Sequence, residues 1–176
     1  AYKIFNTISS FAYVISSYYA ANVSNYFNSK NTKMIYKFFY RERFYIFTVS
    51  IFAHFFAMIF SKFLIVTLYG ERYLGSVNIL NILLIASIFN YLAVFYVIYY
   101  NANKKYKVLQ YVNLFRAIIN IVLDIFFIKI IGIIGPAIAT TVAFVLTFLF
   151  SVYYCERDIR KLANKRLNFI IEEGEK

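Results

Sequence analysis

The 176-residue chain is 62% hydrophobic and only 15% charged, with a mean hydropathy of +0.64, against roughly 45–50% apolar and 25% charged residues in soluble domains. This excludes the soluble globular class and predicts an all-α, polytopic membrane helix bundle. A single cysteine, Cys155, excludes an internal disulfide, and the net charge of +11 must be judged from where Lys and Arg fall rather than from their sum.

Five apolar runs approach or exceed the roughly 20 residues a helix needs to cross the hydrocarbon core: 4–25, 44–68, 77–100, 108–131 and 136–154. The first run is the most polar. Asn6, Ser10, Tyr13, Ser17, Ala20 and Ser24 recur at alternating steps of four and three, which places them on one helical face. Small and hydroxyl residues there favour packing against a neighbouring helix over lining a wet cavity, because serine is cheap to bury. With four similar runs following and no small-residue cleavage site, a signal peptide is a poor explanation. The chain starts at Ala1 rather than Met and has an odd number of spans, so it is expected to be a piece of a longer polytopic protein.

The run 44–68 carries His54 and Lys62. Lys62 lies near Tyr69 at the span's end and can extend its ammonium outward. His54 is closer to the centre; a hydrogen-bonded structural histidine is the plainer expectation and a proton relay the sharper one. Gly70, within TLYGERY, allows a turn before the next span. In 77–100, Asn81 and Asn90 point to opposite faces, so no polar stripe forms.

The run 108–131 differs. Gln110, Asn113, Arg116, Asn120 and Asp124 step by three, three, four and four, which keeps them on one side of a helix turning about 100° per residue. A charge at mid-bilayer costs about 3 kcal/mol on insertion scales unless it is paired or faces water, so this stripe must look into the protein. Arg116 and Asp124 are two turns apart, too far for a direct ion pair along the helix. The five residues are the candidate lining of a polar transport cavity; a buried network holding helices together is the alternative. GIIGPA then makes a tight hairpin, with Gly132 and Gly135 supplying backbone freedom and Pro136 suited to a first helical turn. Ala137, Ala139, Thr140 and Thr141 allow close approach of a neighbour. The charged tail, 156–176, is expected to form a short interfacial or solvated helix.

Most of the 19 basic residues fall in three places. They are Lys30, Lys33, Lys37, Arg41 and Arg43 after the first run; Lys104, Lys105 and Lys107 after the third; and Arg157, Arg160, Lys161, Lys165, Arg166 and Lys176 in the tail. Alternating spans put all three on one side, which the positive-inside rule assigns to the cytoplasm, with Ala1 outside. Tyr45, Tyr99, Tyr100, Tyr106, Tyr153 and Tyr154 fall at inner span ends, Tyr69 and Tyr73 at an outer one. The positive charge is thus an orientation signal with membrane lipid as its neighbour, not a nucleic-acid surface. No His/Cys cluster of metal-ligand spacing, phosphate-binding glycine loop or nucleophile elbow occurs, so no metal, cofactor or enzymatic activity is expected.

LYGERYLGSVNILNILLIASIFNYL, followed by a basic loop and NIVLDIFFIKIIGIIGPAIATTVAF, resembles the C-terminal half of bacterial polysaccharide flippases. These are the Wzx-type O-antigen transporters of the multidrug, oligosaccharidyl-lipid and polysaccharide exporter superfamily. Leu68, Tyr69, Gly70, Tyr73 and Ser76 match an L-Y-G-x-x-Y-x-x-[AS] element. Asn120, Leu123, Asp124, Gly132, Ile133, Gly135, Pro136, Ala137, Ile138, Ala139 and Thr140 match N-x-x-L-[ND] leading to G-I-x-G-[AP]-A-[IL]-A-T. The resemblance covers about residues 65 to 155. It implies one lobe of a MATE-like exporter in the bacterial inner membrane, with a cytoplasmic C-terminus and an N-terminal lobe of the same protein beside it. It also implies transport of a lipid-linked oligosaccharide, of the undecaprenyl-pyrophosphate type, from inner to outer leaflet for lipopolysaccharide synthesis. The motif residues are packing and turn positions, so the resemblance assigns no substrate-binding residue.

The nearest rival is a drug or metabolite exporter of the same architecture. A membrane glycosyltransferase would need larger loops with acidic groups, and a purely structural subunit leaves the polar stripe of 108–131 unexplained.

Overall fold

Only 5 glycines and 1 proline occur in the chain, so little interrupts the i to i−4 hydrogen bonding that hydrocarbon demands of every backbone. The computed structural model describes residues 1–29 and 31–174, with side chains except at 32, 36, 159 and 161–174. Among these residues it contains helices and no strand: α1 Tyr2–Asn28, α2 Thr32–Lys37, α3 Arg43–Ile59, α4 Ser61–Tyr69, α5 Ser76–Ala102, α6 Tyr106–Ile131 and α7 Gly135–Gly174. The fold class is all-α, as its composition demands.

Four of the five apolar runs lie within single helices: α1, α5, α6 and α7. By length and apolar composition, three stretches of the described chain can cross a membrane: Lys33–Ile59, Ser76–Ala102, and Tyr106–Asp158, which holds α6 and the first part of α7. The chain is a membrane protein. α1 is as long as α5, but its serines and asparagines leave it outside that set.

The second run departs from expectation. The helix expected over 44–68 instead starts upstream and breaks at Phe60, between α3 and α4. Upstream, Asn31 caps α2 by accepting a hydrogen bond from the Met34 amide at 3.2 Å. A π-helical turn, Phe38–Glu42, joins α2 to α3. The wider turn lets two consecutive rings, Phe38 and Phe39, both enter the core. What looked like a basic loop is therefore largely helical. The tail likewise shows no boundary near Tyr154: α7 continues for 40 residues, about 60 Å at the helical rise and far more than a bilayer core requires.

α5 is the centre of the bundle, packed by α1, α3 and α7, while α6 lies on α7 as the other arm of a hairpin. Its apolar side chains on every side explain why no polar stripe was visible in its sequence. Leu80, Leu83, Leu84, Ala86, Phe95, Ile98, Tyr99 and Tyr100 are all buried. At the end opposite the hairpin, Phe38, Phe39, Phe95, Tyr99 and Tyr100 form a run of ring contacts.

That end is also the basic one. Arg43 Nη1 donates to Glu156 Oε1 at 2.8 Å and to the Tyr96 hydroxyl at 3.2 Å. Lys105 pairs with Asp158. Partly exposed pairs of this kind contribute about 1 kcal/mol or less, but they tie one residue from each of the first two basic regions to the third. The regions therefore share one end of the bundle. The side chains of Lys30, Lys161, Lys165, Arg166 and Lys176 lie outside the described residues.

Candidate functional site

Two polar groups stand out, one on the partly exposed face of α6 and one in the core. The first is built on the predicted stripe of α6. Because α6 packs on α7 but not into the core, its only buried side chain is Val112. Arg116, Asn120 and Asp124 are half-buried and Gln110 and Asn113 exposed. Arg116 and Asp124 make no ion pair with each other; the guanidinium donates to Asn113 Oδ1 at 3.3 Å and stands 4.9 Å from the Phe144 ring centroid. Asn120 Nδ2 donates to Thr140 Oγ1 at 3.5 Å, and Thr140 donates in turn to the Pro136 carbonyl at 2.8 Å. Asp124 Oδ1 is enclosed without a hydrogen-bond partner.

The other wall comes from α1. Tyr2 lies within electrostatic reach of Thr140 and Asp124, and Tyr13 within that of Arg116. Tyr2 and Tyr13 are eleven residues apart, three helical turns, so one face of α1 looks across α7 at the stripe of α6. The structure thus brings Arg116, Asn120 and Asp124 together with Tyr2, Tyr13, Thr140 and Phe144. Gln110, toward the basic end, is left outside this group.

The polar face of α1 is where expectation and structure part. Asn6, Ser10, Tyr13 and Ser17 are exposed, and the packed face is instead Ile4, Phe5, Ser9, Ala12 and Val23. Serine's low burial cost permits packing, but the larger Phe5 has more contact to gain against α5 and α7, and it takes the inward position.

The second group surrounds His54, which is buried at 3% exposure. Nδ1 lies 2.7 Å from the Ser50 carbonyl oxygen, Nε2 lies 2.9 Å from Ser87 Oγ, and Ser87 Oγ lies 3.2 Å from Ser9 Oγ. The His54 ring meets Tyr91 edge-on at 4.9 Å, and the Tyr91 hydroxyl donates to the Ile8 carbonyl at 2.7 Å. A carbonyl only accepts, so Nδ1 carries the proton and neutral Nε2 accepts from Ser87. Three helices, α1, α3 and α5, are joined through this one imidazole. A cavity of about 440 Å³ opens beside it between α1 and α3, with Ile8, Ile15, Val49 and Tyr91 in its lining.

No family model, curated protein or solved structure matches the chain. The functional reading therefore rests on its own residues. Sequence reasoning missed Ser9, Ser50, Ser87 and Tyr91. Only Ser50, one helical turn before His54, carried a local signal; the others meet it through the α1–α5 and α3–α5 packing.

Proposed function

We propose that this chain forms one lobe of a bacterial flippase that moves lipid-linked oligosaccharide from the inner to the outer leaflet by alternating access. In this reading the basic end is cytoplasmic, and the groove between α1 and α6, floored by α7, faces a second lobe. The observation that carries it is Arg116: a guanidinium within a membrane-crossing helix, turned to the groove and, among the described residues, in no ion pair. A cation so placed marks a candidate path for an anion. The pyrophosphate of a lipid-linked sugar is such an anion, and guanidinium geometry suits phosphate oxygens. Asn120, Tyr2, Tyr13 and Thr140 add amide and hydroxyl groups able to bond the hydroxyls of a glycan.

In the full-length protein, Arg116→Ala is expected to lower surface polysaccharide roughly tenfold or more, the equivalent of one lost charge-assisted hydrogen bond. Arg116→Lys should retain part of it. Quantitative surface glycan staining at matched membrane protein levels reads the effect. Unchanged display in Arg116→Ala contradicts the proposal.

A further inference from the structure

We infer that His54 is a proton-binding site, reached from the polar face of α1 through a two-hydroxyl chain, Ser9 and Ser87. Its use as the site of the driving ion of transport rests on the flippase reading; the binding itself does not.

The geometry allows both charge states of the imidazole to be satisfied. In the neutral state the Ser9 hydroxyl donates to Ser87 Oγ, the Ser87 hydroxyl donates to Nε2, and Nδ1–H donates to the Ser50 carbonyl. When a proton arrives at Ser9 Oγ from water, the Ser9 proton passes to Ser87 Oγ and the Ser87 proton passes to Nε2. Each oxygen gains one O–H bond and loses one, and the net change is one proton on His54. Nε2–H then donates to Ser87, Ser87 donates to Ser9, and Ser9 points its hydroxyl outward. No heavy atom moves. Ser9 is 9% exposed and sits beside the open Asn6 and Ser10 face of α1, whereas Ser87 is 0% exposed, so Ser9 is the outer of the two hydroxyls.

No counter-ion awaits the imidazolium among the described residues. Among the described residues, Ser9 faces it from α1, Ser87 and Tyr91 from α5, and Ser50 from α3, with Tyr45 farther along the cavity wall. Among the described residues, no acidic or basic side chain interacts with it. The packed arrangement of α1, α3 and α5 therefore favours the neutral ring, and proton binding favours an arrangement that admits water to it. That difference between two states is what couples an ion to a conformational cycle.

The test is 15N-histidine NMR of the purified full-length protein in bilayers, with His54→Gln identifying the His54 signal. The inference predicts a neutral, Nδ1-protonated ring that converts to imidazolium as the pH is lowered. It predicts loss of fast Nε2 proton exchange in Ser9→Ala while the ring stays in place. A His54 signal that does not titrate, or that exchanges equally fast in Ser9→Ala, overturns it. If His54 titrates as predicted while neither His54→Gln nor Arg116→Ala alters polysaccharide display, the proton site stands and the flippase reading falls.

Discussion

Gly135→Ala is expected to destabilise the protein by about 3 kcal/mol, at the upper part of the range for overpacking. A Cβ at this position would stand 2.5 Å from the Phe127 carbonyl carbon, 2.6 Å from its oxygen and 2.7 Å from the Ile128 nitrogen. All three are backbone atoms of α6, which cannot swing aside as a flexible side chain could. The first turn of α7 touches α6 because residue 135 has no side chain, and everything the hairpin positions depends on that contact. Asn120 reaches Thr140, and Arg116 stands over Phe144, across the two arms. Gly75→Ala is the control: nothing lies within 4 Å of its Cβ, so its effect should stay within about 0.5 kcal/mol. Unfolding in SDS mixed micelles compares the two. Equal stability of both variants would show that the hairpin is looser than described.

Tyr99→Ala is expected to cost about 3–5 kcal/mol, as for other large aromatic truncations. The ring is 1% exposed and lies 5.6 Å from Phe27 of α1, 5.5 Å from Phe39 of the π-helical turn and 5.6 Å from Tyr100. Lys105 Nζ stands 6.0 Å from its centroid. Within lipid, contacts of this kind rather than water release hold helices together, so the lost ring leaves both a void and two elements without their shared partner. The same unfolding measurement reads it. A loss below about 1 kcal/mol, ordinary for a random substitution, would contradict this role.

Local features were legible in the sequence where one helix decides them. The shared side of Arg116, Asn120 and Asp124 follows from spacing alone, whereas Gln110 from the same pattern lies outside the group, and the GIIGPA turn follows from residues that allow it. The grouping of the basic regions followed from alternation, and Arg43–Glu156 and Lys105–Asp158 place it at one end of the bundle. Features that depend on how helices meet were not legible. The polar residues of α1 do fall on one face, yet the packed face contains Ser9, which no periodicity singles out from Ser10. The break at Phe60 has no glycine or proline to announce it. The helix through residues 33–43 was obscured by its own lysines and arginines, which mark the membrane side as strongly from a helix as from a loop.

Transport by this chain requires that the polar face of α6 turned toward α1 be open to water. Thiol accessibility at two adjacent residues of α6 tests it most directly. Asn120 faces Thr140, while Ile121 is 60% exposed on the outer surface of the bundle, where lipid would lie. The native Cys155 is fully buried. In membranes holding the full-length protein, cleared of other reactive cysteines, Asn120→Cys should react with a membrane-impermeant maleimide and Ile121→Cys should not. Asn120→Cys as unreactive as Ile121→Cys would mean a dry interface, and the transport reading would fail with it.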